Sequence, residues 1–235
     1  MSRRFLSICV CLVAAAHVLA QSPVKKVQQP ADVIEAYRVC NEFQRILAED
    51  LDFDRAFEAT FTKDPARRRA IAIAESELGS AEVSDIDDAT LIGIYKDQMQ
   101  VLLLVMPLLF SQEDSRAPNL FPAQIEAMFD RSQPKDIKDV KAYAVQLKQN
   151  VAVLRAHFDE LAAKNASVGD SIRNMRKYLS KPLEPPNHVV KPITAYSKGR
   201  VLPLDAEYYQ VGDFAVIREG DEMRIIGFTI FKVRW

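Results

Sequence analysis

Cysteine is scarce in this chain of 235 residues, and its three copies are Cys9, Cys11 and Cys40. The first two lie in an N-terminal segment typical of a cleaved secretory signal, so the mature chain would keep only Cys40. One cysteine forms no internal disulfide, which excludes the small disulfide-stabilised scaffolds of many secreted proteins. Because a free cysteine packs like a small hydrophobic residue, we predict that Cys40 is buried; the alternative is a bridge to another chain.

The first twenty residues have the parts of a signal peptide. Arg3 and Arg4 give a basic start, residues 5–16 are mostly apolar, and Val18 and Ala20 stand at the small-residue positions before a cleavage site. This apolar run is shorter than the ~20 residues that a membrane-spanning helix needs. We expect cleavage near Ala20 and a secreted or periplasmic protein without a transmembrane segment in its mature chain. The alternative is an uncleaved anchor.

Histidine is also scarce, and the net charge is close to zero. His17 lies in the signal segment, and the remaining His157 and His188 are too few for a three-histidine zinc site. The 31 Lys and Arg residues nearly balance the 32 Asp and Glu residues, for a formal net charge of −1. This balance gives no electrostatic reason to expect a nucleic-acid partner.

The sequence lacks the motifs of several common enzyme classes. It has no H-E-x-x-H zinc motif, no G-x-S-x-G nucleophile elbow, no G-x-x-x-x-G-K phosphate loop and no G-x-G-x-x-G nucleotide fingerprint. Asp50, Asp52 and Asp54 resemble the start of a calcium loop, but Arg55 and Phe61 stand where such a loop requires glycine and glutamate. We therefore assign no catalytic, cofactor-binding or metal-binding residue and expect no cofactor.

Glycine and proline are distributed unevenly along the chain. Four of the seven glycines follow residue 197, and several prolines cluster between residues 182 and 203. This change indicates helices before about residue 181 and turns and strands after it. We predict a flexible lead over 21–30, a helical bundle domain over 31–180, a proline-rich connector over 181–196 and a small β-element over 197–235. The fold class is therefore mainly α, with a small antiparallel sheet (α+β).

Helical periodicity and capping residues divide the bundle region into elements. Proline at a first helical turn and small polar caps mark most of the starts. The predicted helices are 31–50, 53–61, Pro65 to Gly79 behind an Asp64 cap, one starting at Ser84 or Asp85, two opened by Pro122 and Pro134, and 170–179.

An uninterrupted apolar run, Val101–Phe110, lies in the helix predicted to start at Ser84 or Asp85. A helix that is apolar all round is usually central in its domain, so we predict a core helix that Pro107 kinks or ends. The alternative is an exposed hydrophobic docking surface.

Residues 134–164 carry the most regular pattern in the sequence. Apolar side chains recur at alternating steps of three and four, which is a heptad seam that predicts one long helix. Two observations favour packing inside an antiparallel bundle over an intermolecular coiled coil. Ala144 is a weak seam residue, and Val145 and Val153 widen the apolar face. The seam consists of Ile137, Val140, Ala144, Leu147, Val151, Leu154, Phe158 and Leu161.

The C-terminal region is predicted to form strands. Gly199 predicts a turn before a strand at 201–204, Gly212 predicts a second turn, and a hairpin joins 214–218 to 223–234 through Gly220. The middle of the last strand is apolar on both faces, so we expect both faces to be covered there, one of them by the helices.

Taken together, these features predict an exported, non-enzymatic binding or assembly module that acts on a protein partner or on itself. Its outer strand would offer one means of binding, by adding to a partner's sheet. One alternative is a hydrolase of cell-envelope polymers with a carboxylate-based site, which two acids converging in a deep cleft would favour. The other is a carrier of an apolar ligand, with Val101–Phe110 lining its cavity.

Overall fold

A computed structural model of the chain describes residues 27–75, 83–112, 140–193 and 207–228. Within these ranges six helices precede a three-stranded antiparallel sheet, which confirms the predicted α+β class. The elements are α1 (Ala31–Asp50), α2 (Phe53–Thr60), α3 (Pro65–Glu75), α4 (Asp88–Gln112), α5 (Val140–Lys164), α6 (Ala166–Leu179), β1 (Tyr208–Val211), β2 (Phe214–Glu219) and β3 (Glu222–Phe228).

The bounds of α1 are those predicted, and the apolar face predicted for it is buried. Val33, Cys40, Phe43 and Leu47 are all 0% exposed. Burial raises the pKa of the Cys40 thiol, which keeps it neutral. The prediction that Cys40 is buried is therefore confirmed.

Two helices begin at residues other than those predicted. The start of α4 is Asp88, because the Asp87 side chain caps it by accepting hydrogen bonds from the backbone N–H and hydroxyl of Thr90, both at 2.8 Å. The start of α6 is Ala166 rather than Asp170, because the Asn165 side chain caps the helix by accepting from the backbone N–H groups of Ser167 and Val168. The predicted helix end at Gly79, the starts at Pro122 and Pro134 and the strand at 201–204 lie outside the described residues.

The apolar run on α4 packs mainly into the core, as predicted. Leu103, Leu104, Val105 and Leu108 are buried, and the helix continues past Pro107. By length and composition the segment Asp88–Leu108 would suffice to cross a membrane, and 56% of its most apolar window is buried. A core helix of a soluble protein passes the same test, so this property is weak evidence for a membrane span.

The heptad seam of α5 packs against the other helices of the bundle. Leu147, Leu154 and Phe158 are buried, and the helix packs against α4 and α6. Val145 and Val153, which the sequence suggested would widen the apolar face, are instead 58% and 46% exposed. The three buried residues of this helix therefore all belong to the seam, and Tyr143 and Ala162 add partly buried contacts beside it.

The sheet has the strand order β1-β2-β3, with its turns at Gly212 and Gly220, both at positive φ. One face joins the main hydrophobic core of the helices through Phe214, Val216 and Ile225. The opposite face forms a second cluster, made of Tyr208, Ala215, Ile217 and Ile226 with Ile193 packed against it. In the described part of the last strand, Ile225 and Ile226 are buried on opposite faces, in agreement with the expectation that both faces are covered. Residues 229–234 of the predicted strand lie outside the described residues.

Both edges of the sheet make further backbone contacts. Ile193 of the connector forms an antiparallel bridge to Tyr208, and Phe61 forms a parallel bridge to Ile225 on β3. The Thr62 N–H donates to the Ile225 carbonyl at 3.0 Å. Strand addition by a partner would have to displace these contacts, which argues against that mode of binding.

Side-chain amides of the N-terminal part hold the proline-rich connector against the helices. Gln29 donates to the carbonyls of Pro186 and His188 at 2.8 and 2.7 Å and accepts from the Val190 N–H at 3.1 Å. Asn41 donates to the Leu183 carbonyl and accepts from its N–H. The connector is therefore part of the packed structure from about residue 183 to residue 190.

A buried amide on α1 offers a route to a more stable protein. Gln44 is 7% exposed, and its Oε1 atom has no hydrogen-bond partner among the described residues. Because an unsatisfied buried acceptor is costly, Gln44→Met is expected to raise the free energy of unfolding by about 1 kcal/mol in urea denaturation. The exposed Gln149→Met is the control and should change it by less than about 0.5 kcal/mol. A loss of stability in Gln44→Met would show that the amide has a partner.

Candidate ligand-binding cleft

An open cleft of about 560 Å³ lies where α4, α5 and the start of α2 meet. Its volume falls in the range of small-ligand pockets, about 300–1,000 Å³. Apolar and charged side chains share its lining, which consists of Asp52, Asp54, Thr90, Gly93, Ile94, Lys96, Asp97, Gln100, Ala144, Val145, Lys148, Val151 and Arg155.

Two small residues of neighbouring helices, Gly93 of α4 and Ala144 of α5, line this cleft. Glycine inside a helix is about 1 kcal/mol less favourable than alanine, so it usually has a packing reason. Here a Cβ added at Gly93 would meet nothing within 4 Å. The glycine therefore leaves space in the cleft that no described neighbour fills.

Gly93→Ala is expected to stabilise the protein by about 0.5–1 kcal/mol, because alanine is the better helix former and the added methyl group has room. Urea denaturation of the two proteins measures the difference. Gly169→Ala provides a comparison at a second helical glycine, whose surroundings are filled because a Cβ there would meet the Ala162 carbonyl at 3.6 Å. Destabilisation by Gly93→Ala would mean that the space above this residue is occupied.

Asp97 is a half-buried carboxylate in the cleft without a hydrogen bond or ion pair among the described residues. Burial raises its pKa, the Lys148 ammonium opposes this shift, and the nearby Asp54 carboxylate adds to it. The Asp97 carboxylate is thus partly desolvated without a direct contact from any described residue, so a cationic or hydrogen-bond-donating ligand group would stabilise its charge.

The residues that α5 contributes to the cleft are basic or apolar. Lys148 is exposed and makes no ion pair among the described residues. Arg155 is half-buried and donates from Nη2 to the Leu51 carbonyl at 3.0 Å. All three acidic lining residues come from α4 and from the start of α2.

The turn between α1 and α2, which forms one edge of the cleft, is held in an unusual backbone conformation. Leu51 has φ 52°, which makes it the one non-glycine residue with positive φ in the described part of the chain. Gln100, 6% exposed, donates to the Leu51 carbonyl at 2.9 Å and accepts from the Phe53 N–H at 2.8 Å. Two cleft residues, Gln100 and Arg155, therefore hold this strained turn in place.

Lys96 also lines the cleft, but its ammonium group is already engaged in an ion-pair network. It pairs with Asp54 and, at 3.1 Å, with Glu58, which in turn pairs with Arg68 at 3.0 Å. The charged groups of Lys96 and Arg68 lie 5.8 and 5.0 Å from the centre of the Phe57 ring, within cation–π range. The network fixes α2 against α3 and α4 beside the cleft.

This network predicts a loss of stability in acid. Burial alone would raise the pKa of Glu58, but hydrogen bonds from Arg68 and Lys96 outweigh it and lower that pKa to about 2. A lowered folded-state pKa stabilises the protein above the unfolded value of about 4.3, and that stabilisation is lost as pH falls toward 2. The melting temperatures of the wild type and Glu58→Gln should therefore differ near pH 6 and converge near pH 2. A constant difference across this range would contradict the assignment.

The acidic residues that sequence analysis tested as a calcium loop have other partners. Asp50 pairs with Arg55, Asp52 caps α2 through the Arg55 N–H at 3.0 Å, and Asp54 pairs with Lys96. Among the described residues no three His, Cys, Asp or Glu side chains come together as a metal site. Sequence analysis named some of the cleft residues for other reasons but did not predict the cleft, whose one local signal is the glycine inside α4.

Comparisons of this chain with protein-family models, with curated proteins and with solved structures find no match.

Proposed function

We propose that the protein is an exported, non-enzymatic binding module and that the cleft between α4 and α5 is its ligand site. The signal-like first twenty residues support export. The observation that carries the binding site is the open space beside Gly93, which no described neighbour fills. The charges of Asp97 and Lys148, which have no direct partner among the described residues, add to it. Because both edges of the sheet already make backbone contacts, the cleft is a better site for a partner than either edge.

A hydrolase is the second candidate, and Asp97 is the observation that favours it. A half-buried carboxylate with a raised pKa is suited to general-acid chemistry, and a second carboxylate, Asp54, lines the same cleft. However, Asp54 is ion-paired with Lys96 and its side chain is 62% exposed. Release of product from envelope polymers by the wild type but not by Asp97→Asn would favour this candidate over the binding module.

The carrier hypothesis has less support. Four residues of the apolar run are buried in the main core, and none of its described side chains, Val101–Leu108, lines the cleft. A ligand in the cleft would contact charged groups as well as apolar ones, so the site does not suit a purely apolar cargo.

A substitution that fills the cleft tests the binding proposal. Gly93→Leu places a large side chain in open space, so it should block the site while the protein stays folded. Wild type and variant are incubated with the exported fraction of the native organism, and bound species are identified by mass spectrometry. We expect a species that the wild type retains and Gly93→Leu loses.

The matched control is Val153→Leu, which enlarges an exposed side chain of α5 away from the cleft and should bind like the wild type. Circular dichroism verifies that both variants are folded. The proposal fails if every species bound by the wild type is also bound by a folded Gly93→Leu, or if the wild type binds nothing.

A further inference from the structure

The chemistry of the cleft points to a particular class of ligand, and the inference rests on the function proposed above. Apart from Lys96 on α4, whose ammonium group is paired with Asp54 and Glu58, its charged lining is divided by sign. The acids Asp52, Asp54 and Asp97 lie on the side of α2 and α4, whereas Lys148 and Arg155 lie on α5. A ligand that carries opposite charges at its two ends would complement both sides.

Only part of this charge is free for a ligand. Asp52 caps α2, Asp54 pairs with Lys96, and Arg155 donates to the Leu51 carbonyl. Asp97 and Lys148 make no hydrogen bond or ion pair among the described residues, although they are close enough to influence one another electrostatically. Because both groups line the cleft, an opposite pair of ligand charges would be neutralised by them.

Most of the uncharged lining is apolar and small, the exceptions being Thr90 and Gln100. Ile94 is 0% exposed, Val151 is half-buried, and Gly93 and Ala144 leave room beside them. An apolar ligand group of moderate size would fill this space and bury surface that water now contacts.

The size of the cleft limits the form of the ligand. Two turns of a helix, about 11 Å long and 10–12 Å wide, would occupy roughly twice the volume available. The volume of about 560 Å³ instead suits a ligand of drug-like size. An extended chain of two or three residues has this size and carries both charges at its ends.

We infer that the cleft binds a short peptide with both ends free, whose ammonium group faces Asp97, whose carboxylate faces Lys148 and whose apolar side chain occupies the space beside Gly93. The apolar side chain gives contact area, and the two charged ends fix the orientation. Blocking either end would leave one cleft charge without a partner.

Isothermal titration calorimetry with defined tripeptides tests the inference. The probes are Ala-Leu-Ala with free ends, its N-acetylated form, its C-terminal amide and the doubly blocked form. Each single block should weaken binding about tenfold or more, because each removes one charge-assisted contact. Gly93→Leu should abolish binding of all forms.

Two variants assign the ends of the peptide. Asp97→Asn should weaken binding of the free peptide but leave the affinity for the N-acetylated form nearly unchanged. Lys148→Met should weaken binding of the free peptide but leave the affinity for the C-terminal amide nearly unchanged. Lys164→Met, an exposed lysine at the end of the same helix, is the control and should not alter any affinity.

The outcomes separate this inference from the proposed function. If the doubly blocked peptide binds as tightly as the free one, or if no tripeptide binds while Gly93→Leu still loses a ligand of the native organism, the peptide-end inference falls and the binding function stands. If tripeptides bind equally to wild type and a folded Gly93→Leu, the cleft is not their site and the inference also falls.

Discussion

Phe43→Ala is expected to lower the free energy of unfolding by about 3–5 kcal/mol, a large share of the 5–15 kcal/mol typical of a domain. Phe43 is 0% exposed on α1. The centre of its ring lies 5.9 Å from that of Phe53, 5.7 Å from Phe61 and 5.6 Å from Phe214. The substitution would therefore open a cavity where α1, α2 and the sheet meet.

Urea denaturation followed by circular dichroism measures this change. Phe43→Leu should cost much less, about 1 kcal/mol, because it keeps most of the buried apolar volume. Tyr178→Ala is the aromatic control, since Tyr178 is 73% exposed on α6 and its loss should change stability by less than about 0.5 kcal/mol.

The same variant tests whether the sheet and the helices unfold together. Phe214 belongs to β2 and shares the main core with the residues of α1 and α2. Hydrogen exchange in Phe43→Ala should therefore speed up in β2 and β3 as much as in α1. Unchanged protection of the strands would mean that the sheet is stable without the aromatic cluster, contrary to its packing.

The sequence predicts those parts of the fold that local patterns determine. The bounds of α1 follow from its apolar spacing, and the hairpin of β2 and β3 follows from alternating residues around Gly220. The start of α4 was misplaced because several neighbouring polar residues are all acceptable caps. Only the contact between Asp87 and Thr90 selects one of them.

The cleft could not be predicted in the same way, because its residues are distant in the sequence. The Asp54 carboxylate and Lys148 line one cleft only through the packing of α2, α4 and α5. The pairing of Phe61 with β3 likewise joins residues that are far apart in the sequence. Gly93 is the exception, since glycine inside a helical pattern is visible in the sequence and calls for an explanation.

Gln100→Met is expected to lower the free energy of unfolding by about 2–3 kcal/mol, because a residue of similar size replaces a buried amide that makes two hydrogen bonds. The Phe53 N–H would lose its acceptor, and the Leu51 carbonyl would lose one of two side-chain donors. Amide hydrogen exchange at Phe53, measured by NMR, should lose protection together with the fall in stability. Normal protection at Phe53 would show that another group accepts its N–H.

A double-mutant cycle with Arg155 tests whether the Leu51 carbonyl is shared. Arg155→Met alone should cost less, about 0.5–1 kcal/mol, because Gln100 still donates to that carbonyl at 2.9 Å. Without both donors, the carbonyl of a residue held at φ 52° has no remaining side-chain partner among the described residues. The double variant should therefore lose more stability than the sum of the single variants, by about 0.5 kcal/mol or more. Additive losses would mean that the two side chains act independently and that the strained turn beside the cleft is held by its own packing.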